Sequence, residues 1–128
     1  MIVAGVGCRR GAPASDIVAA IRAALARANV SEDALDAVAT IAAKSAEAGI
    51  KAAAEKLGVS VVKVSEAEMK AASDRTETRS ARVLALMGVP TVAEAAALAA
   101  AGPAARLLGP RLVVGAATCA LAASGAQP

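Results

Sequence analysis

The chain contains no phenylalanine, tyrosine or tryptophan, although 57% of its 128 residues are hydrophobic. Its core must therefore be built from Ala, Val, Ile, Leu and three Met. Because these side chains are small, close packing requires helices that approach a sheet at short distance. Aromatic rings are also the usual platforms on which bases and flat ligands stack. We expect a fold with thin layers and no aromatic stacking site.

The sequence also contains no histidine, which restricts its chemistry. Histidine is the commonest general base near neutral pH, the partner in Ser–His and Cys–His pairs, and a frequent metal ligand. Cys8 and Cys119 form no metal-ligand pattern, so we expect no metal site and no cofactor. They could form a disulfide, but we detect no signal peptide before the first strand and expect free thiols in the cytoplasm.

A net charge of +3 from scattered basic residues does not indicate a nucleic-acid partner.

The first half of the sequence alternates between short apolar runs and segments with helical periodicity. The pattern predicts strands at residues 2–6, 37–41 and 59–64, and helices from a cap at Ser15 or Asp16 to about Ala28 and at 47–57. Strands that alternate with helices form right-handed crossovers and pair in parallel. A parallel core of three strands is therefore expected.

The second half of the sequence carries different signals. Capping boxes at residues 65–68 and 91–94 each predict the start of a helix, with an exposed polar loop at 73–79 and a further helix at 82–87 between them. Short strands separated by turns at 105–108, 111–114 and 117–122 indicate antiparallel pairing. We predict an α/β fold, a three-layer α/β/α arrangement with a mixed, mostly parallel sheet, in one domain over residues 1–128. No segment has the ~20 apolar residues of a membrane-spanning helix, so no membrane partner is expected.

The loop after the first predicted strand has the sequence GCRRG, residues 7–11. A glycine-rich turn before a helix can present backbone N–H groups to an anion. The guanidinium groups of Arg9 and Arg10 add two positive charges, and each can bind a carboxylate or phosphate through two parallel hydrogen bonds. Ligands of open α/β sheets bind at the carboxyl ends of strands, where this loop lies. The loop therefore predicts a carboxylate or phosphate site, the alternative being a tight turn with solvated arginines. A dinucleotide site fits poorly because GVGCRRG misses the G-x-G-x-x-G spacing by one residue.

Three further residues are candidates for chemistry at this edge of the sheet. Cys8 lies where a helix N-terminus and two arginines would favour a reactive thiolate, but no histidine can act as its base. Lys44 and Glu47 follow the second strand, so they should lie near the first loop. Lys44 could pair with a substrate carboxylate or be solvated. Glu47 could act as an acid or base, or simply stabilise the helix N-terminus.

Several motifs, in order along nearly the whole chain, resemble the CobE family, which is similar to the C-terminal domain of CbiG cobalamin-biosynthesis proteins. They are GVGCRRG, ATIAAKSAEAGI, GVPTVAEAAAL, and ARLLGPR followed by AATCALA. The positions that match the family pattern are Gly7, Cys8, Arg9, Arg10, Gly11, Lys44, Glu47, Glu94 and Thr118. Of these, Glu94 also completes a Thr-x-x-Glu capping box, which gives it a structural role on pattern alone.

The resemblance implies a role in cobalamin (vitamin B12) biosynthesis. It implies that the protein binds an acidic corrin-pathway tetrapyrrole of precorrin or hydrogenobyrinic acid type and acts as a carrier or accessory factor. Other corrin-pathway enzymes could be further partners. The substrate-binding residues would be the matching positions other than Glu47, and the catalytic candidates would be Glu47 and Cys8. One alternative is an enzyme that opens a cobalt-precorrin lactone, and another is an unrelated small-molecule anion-binding module. The acetates and propionates of such a ring would suit Arg9, Arg10 and Lys44, while the ring would lie on aliphatic surface.

Overall fold

The computed structural model describes residues 1–42, 47–72, 92–102 and 104–124, and the predicted loop at 73–79 and helix at 82–87 lie outside these ranges. Six strands and four helices are described, together with a short 3₁₀ helix at Glu32–Ala34. The strands are β1 (Ile2–Cys8), β2 (Ala37–Ile41), β3 (Ser60–Val64), β4 (Arg106–Leu107), β5 (Leu112–Val114) and β6 (Ala117–Ala123). The helices are α1 (Ala14–Ala28), α2 (Ala48–Leu57), α3 (Glu66–Ala72) and α4 (Val92–Ala101).

The six strands form one mixed sheet in the order β3-β2-β1-β6-β4, with β5 also paired to β6. Strands β1, β2 and β3 are parallel, whereas β6 runs antiparallel to β1, β4 and β5. Helices α1 and α2 pack on one face of the sheet, and α3 and α4 pack on the other. The predicted three-layer α/β/α fold with a mixed sheet is confirmed.

The thin core expected from the composition is realised where α4 crosses β1. Val3 and Gly5 lie on the α4 face of β1, and Ala4 and Val6 lie on the α1 face. A β carbon at Gly5 would collide with the carbonyl oxygen of Ala93 in α4. The helix backbone therefore rests almost directly on the strand backbone, which only glycine permits.

Most predicted helix ends agree with the structure. Ser65 and Glu68 form the predicted capping box, with the Glu68 N–H 3.1 Å from the Ser65 hydroxyl and the Ser65 N–H 3.1 Å from the Glu68 carboxylate. These bonds hold the pKa of the Glu68 carboxyl below its usual value. Gly58 ends α2 in the left-handed conformation, at φ 73°.

Two predictions about the first loop are wrong. Neither Ser15 nor Asp16 caps α1, because the helix begins at Ala14 after Pro13, which makes no side-chain cap bond. Strand β1 does not end at Val6 but continues through Cys8, because Gly7 and Cys8 pair with Thr118 and Ala117 of β6. Pairing with a strand more than 100 residues away thus extends β1 into the predicted loop.

Candidate functional site

The candidate site lies at the carboxyl edge of the parallel strands. Strand β1 ends at Cys8, and residues 9–13 lead from it into α1. Strand β2 ends at Ile41, and the segment after it leads to Glu47 at the start of α2. The turn between β5 and β6, at Gly115 and Ala116, reaches the same edge because Ala117 pairs with Cys8. The β1–α1 loop, the β5–β6 turn and Glu47 therefore meet around the end of β1.

The backbone N–H groups of the first loop are largely bonded within the protein. Arg9 donates to the carbonyl oxygen of Ala116 at 3.0 Å, and Ala12 donates to that of Arg9 at 3.0 Å. Gly11, at φ 75°, donates to the Glu47 carboxylate at 3.0 Å. Pro13 has no N–H group. The backbone N–H groups that were expected to bind an anion are therefore largely bonded within the chain. The guanidinium groups of Arg9 and Arg10 remain as candidate anion-binding groups.

Arg9 and Arg10 are both exposed. Within the described ranges the ion pair that forms joins Arg22 to Glu32, at 2.8 Å, and neither loop arginine takes part in one. The Arg9 backbone is nevertheless fixed to Ala116 of the β5–β6 turn. As far as the structure describes the chain, the loop thus presents two guanidinium charges without an ion-pair partner from a held backbone, which suits recognition of a carboxylate or phosphate.

Glu47 lies beside the first loop, as the parallel topology predicted. It is the N-cap residue of α2, but its side chain makes no bond to that helix and instead reaches Gly11. Gly49, in the first turn of α2, packs on the same loop so closely that a β carbon would collide with the carbonyl oxygen of Ala12. The predicted neighbour Lys44 lies outside the described residues.

Gly7, Cys8 and Thr118 lie together on paired strands but point to opposite faces of the sheet. Gly7 is in register with Thr118, and this pair lies on the α4 face near Val92. Val113 of β5 is in register with Thr118 and is 62% exposed. Cys8 packs on the α1 side, so its thiol and the Thr118 side chain lie on different sides of the strand layer.

Both cysteines are free thiols, as expected, and the disulfide alternative does not form. Cys8 is half-buried at the end of β1. Cys119 is buried between the sheet and α1, and this burial raises the pKa of its thiol to about 12, although the charge of Arg27 opposes the shift. Cys119 is therefore an inert core residue at neutral pH.

Glu94 is completely buried in the first turn of α4. Its carboxylate accepts a hydrogen bond from the Arg111 backbone N–H at 2.9 Å, which joins α4 to the start of β5. Thr91, the other end of the predicted capping box, lies outside the described residues. The buried contact supports the structural role, and ligand binding by Glu94 stays a prediction.

Asp16 lies at this edge, but it does not cap α1 as the sequence predicted. Its carboxylate accepts a hydrogen bond from the Ala116 N–H at 3.0 Å, so it holds the β5–β6 turn rather than its own helix. Gly115, at φ 57°, lies against that carboxylate. A glycine between two predicted strands signals a turn, but no local pattern connects it with Asp16.

Among the described residues, no cluster of three or more His, Cys, Asp or Glu side chains could hold a metal ion. None of the described helices has the length and apolarity needed to cross a membrane.

Comparison with known proteins decides the family. The model of a family described as Cobalamin synthesis G C-terminus matches residues 2–122. The chain belongs to this family. Membership places the protein in cobalamin biosynthesis, as the sequence resemblance implied.

Three relatives illustrate the match to the Cobalamin synthesis G C-terminus family. Protein CobE of Sinorhizobium sp is 38% identical over 121 residues, which are 94% of this chain and 79% of the relative. The crystal structure of CobE, a protein from the cobalamin (vitamin B12) biosynthetic pathway, has a TM-score of 0.88 at 36% identity and covers 95% of this chain and 89% of its own. Cobalamin biosynthesis protein chiG from Agrobacterium tumefaciens has a TM-score of 0.75 at 45% identity, covering 98% and 100%.

Proposed function

We propose that this protein binds an acidic tetrapyrrole intermediate of the corrin pathway at the carboxyl edge of its sheet and acts as a carrier or accessory factor. The observation that carries the proposal is the pair of exposed guanidinium groups of Arg9 and Arg10, which have no ion-pair partner among the described residues. Their loop is attached to the β5–β6 turn through Arg9 and Ala116. Membership of a cobalamin-synthesis family supports a ligand from that pathway.

Charge complementarity explains why a tetrapyrrole would suit this edge. Corrin precursors carry several acetate and propionate groups around one ring, and guanidinium groups bind carboxylates with two parallel hydrogen bonds. Two arginines adjacent in sequence could each take one such group. Lys44 would add a third charge if it lies at the same edge, as its place after β2 predicts.

The ring itself would need an apolar surface that is not aromatic, because the chain has no aromatic residue. Gly7, Thr118 and Val113 form a row across β1, β6 and β5 on the α4 face. The exposed Val113 is one of two large hydrophobic side chains on the described surface. This row could take the edge of a macrocycle next to the loop arginines, with no stacking partner.

Lactone opening is the alternative chemistry on the same ligand, with Glu47 or Cys8 as catalytic candidates. The Glu47 carboxylate lies at the edge and is half-buried, so it could reach a bound ring. Cys8 packs towards α1, away from the Gly7–Thr118 row. Both roles stay predictions, as do a cytoplasmic location, contacts with other corrin-pathway enzymes, and the third possibility of a small-anion module.

Titration with hydrogenobyrinic acid, followed by visible absorbance, tests the proposal. We expect a saturable spectral change at micromolar protein and co-elution of pigment with protein on gel filtration. No spectral change and no co-elution would contradict tetrapyrrole binding and leave the small-anion module. Incubation with a lactone-bearing intermediate then separates the two tetrapyrrole functions. A mass change of the ligand, such as the gain of one water when the lactone is hydrolysed, or release of acetaldehyde would show an enzyme, whereas an unchanged ligand that stays bound would show a carrier.

A further inference from the structure

One backbone amide at the candidate site already holds a carboxylate. The Gly11 N–H donates to Oε1 of Glu47 at 3.0 Å, and the two residues are 36 positions apart. Gly11 follows Arg9 and Arg10 directly in the loop, and the Glu47 carboxylate on its amide forms no ion pair with either arginine. Within the protein, Glu47 therefore places a carboxylate, the charged group of the proposed ligand, on the loop that carries the two arginines.

The loop keeps its position without the Glu47 bond. The Arg9 N–H is bonded to Ala116, and the Ala12 N–H closes a turn on Arg9, both at 3.0 Å. On the other side, Gly49 of α2 packs directly on the carbonyl oxygen of Ala12. Because these contacts fix the backbone on both sides of Gly11, the Glu47 carboxylate is not needed to set the loop geometry.

The Glu47 carboxylate can also leave at low cost. Its side chain is half-buried, the bond lies at an exposed position, and the side chain makes no cap bond to α2. A single exposed hydrogen bond changes an equilibrium constant by about fivefold. A ligand that one carboxylate holds at a guanidinium through bidentate contacts can therefore replace it with a second carboxylate.

We propose that the Gly11 amide is a carboxylate subsite that Glu47 occupies until a ligand carboxylate displaces it. The identity of the ligand as a tetrapyrrole rests on the proposed function, but the subsite requires only a carboxylate. Glu47 then acts as an internal competitor that weakens the binding of acidic ligands in general. Because the Glu47 carboxylate on the amide makes no ion pair with Arg9 or Arg10, a ligand needs one carboxylate for the amide and another for a guanidinium, which favours ligands with several carboxylates.

Substitutions of Glu47 test the subsite. Glu47→Ala frees the amide and removes the negative charge, whereas Glu47→Gln removes the charge but keeps an oxygen that can accept from Gly11. Glu55→Ala and Glu55→Gln are matched controls, because Glu55 is exposed on the same helix about 12 Å further along it. Each variant is titrated with hydrogenobyrinic acid and, separately, with citrate, while the Gly11 amide signal is followed by NMR. Circular dichroism confirms that each variant is folded.

We expect Glu47→Ala to bind both probes about fivefold to tenfold more tightly than its Glu55→Ala control, with Glu47→Gln between the two. The Gly11 signal should move in step with ligand occupancy. If hydrogenobyrinic acid binds but Glu47→Ala binds it equally or more weakly than the control, the subsite is refuted and the proposed function stands. If citrate alone binds, and binds more tightly to Glu47→Ala, the subsite stands and the tetrapyrrole function fails. If neither probe binds or moves the Gly11 signal, both are refuted.

Discussion

The carboxylate of Asp16, in the first turn of α1, accepts a hydrogen bond at 3.0 Å from the backbone N–H of Ala116, which lies 100 residues further along the chain. The carbonyl oxygen of the same Ala116 accepts the N–H of Arg9. A single turn residue therefore connects the start of α1 with the arginine loop. The position of Arg9 at the edge of the sheet depends on these two hydrogen bonds of Ala116, which we call the Ala116 relay.

Substitution of Asp16 should weaken the Ala116 relay. We expect Asp16→Ala to lower the free energy of unfolding by about 1 to 2 kcal/mol, because it leaves the partly buried Ala116 N–H without its acceptor. Asp16→Asn keeps an acceptor oxygen and should lose less. Urea unfolding monitored by circular dichroism measures both, with the exposed Asp33→Ala as the control. Equal losses in Asp16→Ala and Asp33→Ala would contradict the relay.

Two glycines on the same face of β1 should respond differently to a methyl group. At Gly5 a β carbon would collide with the carbonyl oxygen of Ala93 and lie 2.6 Å from the Ala97 nitrogen, whereas at Gly7 the nearest atoms are in Val92, at 3.8 Å. We expect Gly5→Ala to cost about 3 kcal/mol or more and Gly7→Ala less than about 1 kcal/mol. Thermal and urea unfolding of the two variants check this. Similar losses would mean that α4 does not lie on the backbone of β1.

The buried thiol of Cys119 predicts a pH dependence of stability. Its pKa is about 12 in the folded protein, against an ordinary value of 9.0. Because the folded-state pKa is the higher one, this contribution is fully present below about pH 9 and is lost as the pH rises towards 12. Relative to Cys119→Ala, the wild-type protein should lose about 2 kcal/mol of unfolding free energy between about pH 8 and pH 10.5. In a background of Cys8→Ala, the same loss should separate the protein that retains Cys119 from the Cys8→Ala, Cys119→Ala double variant. A slope that is unchanged in Cys119→Ala would show that the thiol is not buried.

Local signals in the sequence were enough to predict most of the fold. The alternation of apolar runs and helical periods gave the parallel strands β1, β2 and β3, and the capping box at Ser65 and Glu68 gave the start of α3. The errors arose where a distant partner decides the local structure. Strand β1 continues to Cys8 because β6 lies beside it. Asp16 accepts a hydrogen bond from the β5–β6 turn, and no residue near Asp16 in the sequence indicates that contact.

The position of Glu47 beside the first loop was predicted correctly, but the backbone hydrogen bonds of that loop were not. Parallel topology places Glu47 beside the first loop, as the 3.0 Å bond to Gly11 confirms. The sequence could not show that the loop amides would find partners inside the protein, because Ala116 and Glu47 reach them only through tertiary packing. The close contact between Gly5 and α4 could not be predicted from the sequence either, since a glycine in a strand can mark a bulge, a bend or a close contact.

The central claim is that Arg9 and Arg10 bind the carboxylates of an acidic tetrapyrrole, and the affinity of the Arg9→Ala, Arg10→Ala double variant for hydrogenobyrinic acid tests it most directly. Lys56→Ala with Arg106→Ala is the matched control, because it removes two exposed charges from α2 and from β4. We predict at least about tenfold weaker binding for the arginine variant than for this control, with both unfolding free energies within about 0.5 kcal/mol of the wild type. Equal affinity of the two double variants would contradict the account.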